Sequence, residues 1–197
     1  MTYNILIPLA AFAFVSSITP GPNNLMLMAS GANYGFRRSL RHMFGISIGF
    51  MVMVVLVGSG LVQVFNKYPV SYTVLKTLSV GYLLYLSWKI ATSAPPKSER
   101  VRGKPFGFFQ AALFQWVNPK AWAMALTATT AYLPSQTLAS IILVALVFGA
   151  VNLPSVSFWA ILGQQMRKIL TNPLRLRLFN YSMAGLLLAS LAPVLTS

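Results

Sequence analysis

The chain has 197 residues, 56% of them hydrophobic and 8% charged, with a mean hydropathy of +0.68. Soluble domains carry roughly 25% charged residues, so this composition excludes an ordinary water-facing surface and places most of the chain in lipid. Fifteen Lys and Arg stand against one acid, Glu99, for a formal net charge of +14. These charges lie between apolar runs, as in the cytoplasmic loops of membrane proteins, which argues against a nucleic-acid binder.

Taken in chain order, six apolar runs fall at about 4–30, 40–64, 71–90, 106–132, 137–163 and 179–196. A membrane helix takes ~20 apolar residues, so six spans use nearly the whole chain and leave no room for a soluble domain. The expected fold is an all-α integral membrane protein, a single membrane domain over 1–197. Its first repeat covers about 4–90, a cytoplasmic linker about 91–105, and a second repeat about 106–197. Residues 1–4 contain no Lys or Arg, so the first run reads as a span rather than a leader. The stretch 164–178 reads as a basic linker, with Asn172-Pro173 as its turn signal.

The basic residues set the orientation. Arg37, Arg38 and Arg41 follow the first run; Lys89, Lys97, Arg100, Arg102 and Lys104 surround the third connection; Arg167, Lys168, Arg175 and Arg177 fill the fifth. Alternate connections thus hold twelve basic residues, and the opposite side holds Lys67 and Lys76. The positive-inside rule then puts those connections in the cytoplasm and both termini outside. Lys120 fits neither group and falls at depth, where a charge costs a few kcal/mol and marks a functional candidate.

Two spans are interrupted. In the first, Pro20, Gly21 and Pro22 are followed by Asn23 and Asn24; in the fourth, Gln115 precedes Asn118, Pro119 and Lys120. Proline removes a backbone donor and clashes with the preceding turn, and in lipid the freed groups need partners inside the protein. Each break lies near the middle of the first span of a three-span half, and the two spans run in opposite directions. The halves are therefore expected to be inverted repeats, with helices one and four broken at Pro. Paired interruptions of this kind point to a transporter's binding site. Helix N-termini there suit a carboxylate and C-terminal carbonyls suit an ammonium, so a zwitterionic amino acid is the natural ligand.

The expected substrate-binding residues are Pro20, Gly21, Pro22, Asn23, Asn24, Asn118, Pro119, Lys120 and Asn152, the last near the middle of span five. Each also has a plainer account. Prolines kink many membrane helices, Lys120 could pair with a carbonyl structurally, and Asn152 could simply bond a neighbouring helix. Gly45 and Gly49 are expected to serve close helix packing. Without cysteine and with His42 alone, the chain offers no metal site, and neither cofactor nor catalytic residue is expected.

These motifs resemble the lysine exporter and homoserine/threonine efflux superfamily (LysE/Rht type). The likeness runs through Thr19-Pro20-Gly21-Pro22-Asn23, Gly35-Phe36-Arg37-Arg38, Gly45-x-x-x-Gly49, and Phe109-Gln110 leading to Val117-Asn118-Pro119-Lys120. The runs 20–24 and 45–50 are most similar to the cysteine/O-acetylserine efflux branch. The resemblance implies a multi-pass exporter in the bacterial inner membrane, driven by an ion gradient, with the proton as the expected coupling ion. Both termini would be periplasmic, and a homo-oligomer is left open. One departure is Phe50, where many members carry an acid after the second glycine. With no carboxylate expected in the membrane, a neutral amino acid or derivative of the cysteine/O-acetylserine or homoserine/threonine kind is favoured over lysine. The competing readings are a passive channel, a scaffold subunit and a membrane-embedded Ser–Lys enzyme.

Overall fold

The computed structural model describes residues 3–93, 104–133, 135, 137–170 and 172–192. Every regular element among them is helical. Helix α1 (Tyr3–Ile18) ends just before Pro20, and α2 (Pro22–Tyr34) restarts with Pro22 in its first turn, where a missing N–H costs no bond. The pair is bent by 54°. Gly35 alone joins α2 to α3 (Phe36–Leu56), at φ 83°, a backbone region that glycine enters freely. The expected first connection therefore shrinks to one residue, and Arg37, Arg38 and Arg41 sit in the first turns of α3.

Helix α3 runs on through a π-helical turn at Val57–Leu61, where Gly60 takes φ 103°, into α4 (Val62–Lys67). Next comes α5 (Pro69–Ala91), then α6 (Phe108–Phe114), whose Gly107 N–H donates to the Gln110 side chain at 3.1 Å. A 3₁₀ turn over Gln115–Val117 and extended Asn118 lead into α7 (Pro119–Ala131). Helix α8 (Leu138–Ile169) passes through Pro154 without ending, and α9 (Pro173–Ala189) closes the order.

The linker read at 164–178 is corrected. Helix α8 continues to Ile169 and α9 begins at Pro173, because Asn172 caps it: its Oδ1 accepts from Leu174 N–H at 2.8 Å. A turn signal here is also a helix start. Most of the expected linker at 91–105, including Glu99, Lys97, Arg100 and Arg102, lies outside the described residues.

The central core joins α1, α3, α7 and α8 through Leu9, Phe50, Met53, Ala125, Val144 and Phe148. Helix α2 crosses α8 at two glycines. A Cβ at Gly31 would meet the Ala160 carbonyl oxygen, and one at Gly163 the Met28 carbonyl oxygen. Helix α3 passes α6 in the same manner: Gly45 lies against the Phe108 carbonyl and Gly49 against the Ala112 backbone. Helix α5 packs on α9.

Large apolar side chains stand outward all round, among them Ile7, Val52, Leu78, Trp88, Phe109, Leu146 and Leu186. That exterior belongs in lipid rather than water. By length and apolarity, α3 with its π turn (Phe36–Leu61) and the bulk of α8 (Leu138–Met166) can each cross a membrane, and the bent pair Ile5–Ile18 and Pro22–Tyr34 makes a third. Helix α5 is long enough but carries Lys76 and Lys89, and the 17-residue α9 carries Arg175 and Arg177 near its start.

The glycine crossings give a direct expectation. Gly163→Ala would force a methyl against the Met28 backbone, which cannot swing away as a side chain can. The cost is about 1–3 kcal/mol, read as a lower midpoint in thermal unfolding of the detergent-purified protein.

Candidate functional site

The two proline breaks meet. Asn23, at the start of α2, donates from Nδ2 to Gln115 Oε1 at 2.8 Å, and Gln115 Nε2 lies 3.3 Å from Asn23 Oδ1. This reciprocal amide pair joins positions 92 residues apart in sequence. Gln115 also donates to Ala111 carbonyl oxygen at 2.8 Å and is fully buried.

Lys120, in the first turn of α7, reaches back across the break in the other half. Its Nζ donates to Thr19 carbonyl oxygen at 2.7 Å, to Thr19 Oγ1 at 2.9 Å and to Pro20 carbonyl oxygen at 3.3 Å. Gly21 makes the approach feasible, since a Cβ there would stand 2.6 Å from Lys120 Cδ. The neighbouring carbonyls are also occupied. Asn24 Nδ2 donates to Ser17 and Thr19 carbonyl oxygens at 2.8 and 2.7 Å, and Trp159 Nε1 donates to that of Ile18 at 2.9 Å. The carbonyl end expected to await a substrate ammonium is therefore filled by the protein's own ammonium and amides.

The two helix starts differ. Asn118 caps α7, its Oδ1 accepting from Lys120 N–H at 3.1 Å. Helix α2 has Gly21 at the corresponding position and no side-chain cap. The first-turn N–H groups of a helix lack intrahelical partners. Those of Asn23 and Asn24 thus remain the natural anion seat, since Pro22 has none to offer.

Asn152 enters from α8. Its Oδ1 accepts from Ser47 Oγ at 2.9 Å and its Nδ2 donates to Ser17 Oγ at 3.2 Å, tying α8 to α3 and α1. Gly21, Asn23, Asn24, Asn118, Lys120 and Asn152 all line one small cavity of about 20 Å³. Pro20, Pro22 and Pro119 shape the breaks instead of lining the space: Pro20 lends its carbonyl, and the other two start α2 and α7. Phe50 forms an apolar wall together with Met124 and Val156. The volume is enough for one or two waters and too small for an amino acid.

Sequence reading missed Ser16, Ser17 and Ser47 and left Gln115 as a neighbour of the second break. Serines in a membrane helix usually bond their own preceding turn, so no local signal separates Ser17 from Ser16. Gln115 did carry a signal, an amide one turn before a proline break in an apolar run. Gln164, at the start of the stretch expected as a linker, lies in α8, and its Oε1 accepts from Phe36 N–H at 2.6 Å and satisfies the start of α3.

Residues 14–197 match the family described as LysE type translocator. The chain belongs to this family. It is therefore a membrane translocator and not an enzyme. Among its relatives, the cysteine/O-acetylserine efflux protein of Salmonella typhi is 34% identical over 137 residues, 70% of this chain and 70% of that protein. The protein of the same name from Escherichia coli strain K12 is 28% identical over 171 residues, 86% of this chain and 87% of that one. No solved structure matches.

The Asn23–Gln115 pair sets a stability expectation. Gln115→Leu would strip Asn23 of its buried partner and cost about 1–3 kcal/mol. A matched fall in unfolding midpoint should appear with Asn23→Leu. The double variant should lose less than the sum of the two, because it leaves no polar group stranded.

Proposed function

We propose that this translocator exports small neutral amino acids or their derivatives, of the cysteine/O-acetylserine kind, across the bacterial inner membrane by secondary active transport. The observation that carries the reading is the meeting of the two proline breaks at one polar cavity, with Lys120 of one half seated on the backbone carbonyls of the other. The relatives named as cysteine/O-acetylserine efflux proteins favour cysteine and O-acetylserine over homoserine and threonine.

The seat at Thr19 and Pro20 accepts an ammonium, and Lys120 occupies it while the cavity is too small for solute. A zwitterion entering a widened cavity would place its carboxylate at the uncapped start of α2 and against Lys120, drawing that side chain off the carbonyls. Its own ammonium would then take the vacated seat. Phe50, Met124 and Val156 would meet a short uncharged side chain, and nothing in that wall offers an acid to a lysine or arginine substrate.

Six spans in two inverted halves accommodate this reading. Helix α5, the broken pair α6–α7 and α9 would join the three apolar spans, with α3 against α8 and α5 against α9 across the pseudo-axis. The alternation of basic connections supports cytoplasmic placement of Arg37–Arg41 and Lys104 and periplasmic termini. The proton is the proposed coupling ion. With Glu99 the chain's one carboxylate, Lys120 is the group at the site able to exchange it.

Proteoliposomes with an imposed pH gradient test the proposal. Wild-type protein should accumulate O-acetylserine against its concentration gradient, and Lys120→Ala and Asn23→Ala should each lower the rate at least about tenfold, a loss of ~1.4 kcal/mol or more. Downhill movement without accumulation would indicate a passive channel. Unchanged rates in both variants would remove the site from this cavity.

A further inference from the structure

Among the described residues, three buried side-chain polar atoms have no hydrogen-bond partner: Asn33 Oδ1 and both ring nitrogens of His42. All three belong to residues lining a second cavity, of about 50 Å³, between α2, α3, α5 and the segment before α6. Buried polar groups are almost always paired, so three orphans around one space point to a ligand or to water.

The orientation of Asn33 is determined by its neighbours. Its Nδ2 donates to Ala29 carbonyl oxygen at 2.8 Å and to Asn180 Oδ1 at 3.1 Å, while Asn180 Nδ2 donates to Ser93 carbonyl oxygen at 3.1 Å. Exchanging the amide's two ends would break both bonds, so the free atom is the acceptor. His42 packs edge-on to Phe106, with ring centroids 5.3 Å apart, and is 1% exposed. The charged or titratable groups around it in the cavity are Lys89, Lys104 and Tyr34. Lys89 Nζ lies 5.0 Å from the Phe106 ring centroid, over the same ring that His42 touches.

The cavity therefore offers one N–H donor and one acceptor nitrogen from the neutral His42 ring, ammonium donors from Lys89 and Lys104, and a further unpaired acceptor from Asn33. Donors alone would suit any anion; the acceptor adds a place for an ammonium. This is the complementary pattern of an amino-acid zwitterion, with hydrophobic walls from Met26, Leu86 and Ile90. Helices α2 and α3 line both cavities. His42 and Phe50 are eight residues apart on α3, about 12 Å along its axis, and the packed side chains Met26, Phe106 and Phe114 form part of the cluster beside this cavity.

We propose that the His42 cavity is a second seat for the exported amino acid, on the basic side of the protein, where solute is held before it reaches the site at the proline breaks. This rests on the export reading above. Once the cavity widens beyond its present volume of about 50 Å³, the carboxylate lies between His42 and the two lysines, and the ammonium lies on Asn33 Oδ1.

His42 is the chain's one histidine, so imidazole ¹⁵N resonances of tag-free, histidine-labelled protein in phosphatidylcholine bilayers report on this cavity alone. O-Acetylserine should shift them saturably in the wild type. The shift should persist in Lys120→Met, whose central site is disabled, and weaken about tenfold in Asn33→Ala. No shift at concentrations that saturate transport would overturn the proposal, as would a shift that vanishes in Lys120→Met. A shift produced by phosphatidylglycerol without amino acid would assign the cavity to a lipid headgroup and also overturn it. If Asn33→Ala fails to fold, the wild-type and Lys120→Met titrations still decide. Absence of transport in proteoliposomes beside an intact titration would reject export while leaving the seat in place.

Discussion

In lipid, a backbone carbonyl released from a helix must find a donor within the protein. The break at Pro20 and Pro22 releases a run of them, and each has one. Ser16 carbonyl oxygen accepts from Thr19 Oγ1, Ser17 from Asn24, and Ile18 from Trp159; Thr19 accepts from Asn24 and Lys120, Pro20 from Lys120, and Gly21 from Leu25 N–H. The donors come from α2, α7 and α8, so a local defect in one helix becomes a junction of four. Lys120 is the member that differs from the rest. Its flexible stem lets it leave, whereas the amides and the indole are fixed by neighbouring turns. A junction whose one mobile donor is an ammonium is already suited to exchanging that ammonium for another.

That junction exists only because the helices approach closely. Gly31 and Gly163 bring α2 onto α8, and Gly45 and Gly49 bring α3 onto α6. Without these contacts Asn152 could not bridge Ser47 and Ser17, nor could Asn23 reach Gln115. Helix association in lipid draws little from hydrophobic burial, so small residues at crossings and a few interhelical hydrogen bonds have to carry it. Here the same contacts that hold the helices together also position the polar groups of the cavity. A substitution at a crossing would therefore disturb site geometry along with stability.

Much of this was legible in the residues themselves. Pro20-Gly21-Pro22 and Asn118-Pro119 in apolar runs marked both breaks, although Pro154 leaves α8 unbroken, and the membrane class followed from charge and hydropathy. Which faces meet was not legible. Gln115 and Asn152 have many candidate neighbours until the glycine crossings set the rotation of each helix. The Asn172-Pro173 step does mark the turn between α8 and α9, but the linker expected around it is too long, because the same dipeptide also caps a helix and only the helical residues on either side show the extent. His42 carried no local signal at all. A lone histidine at the start of the second apolar run has no partner to name until its burial and its unpaired nitrogens are seen.

The two breaks are also unequal, and the inequality bears on direction. The second closes its own helix start: Asn118 caps α7, and Trp122 Nε1 donates to Trp116 carbonyl oxygen at 2.8 Å. The first fills its carbonyls partly from its own Thr19, Asn24 and Leu25 and partly from Lys120 of α7 and Trp159 of α8, and it leaves the start of α2 uncapped. Any motion that separates the halves would part Asn23 from Gln115 and Lys120 from Thr19 and Pro20, leaving the start of α7 capped and the start of α2 open. Under the proposed export cycle, binding would be concentrated on α2, with α7 delivering Lys120 to it. Because α2 also carries Asn33 toward the His42 cavity, one helix presents polar atoms at both seats. A solute moving between them would follow the α2 face, losing contact with water only where Met26 and its apolar neighbours close the way.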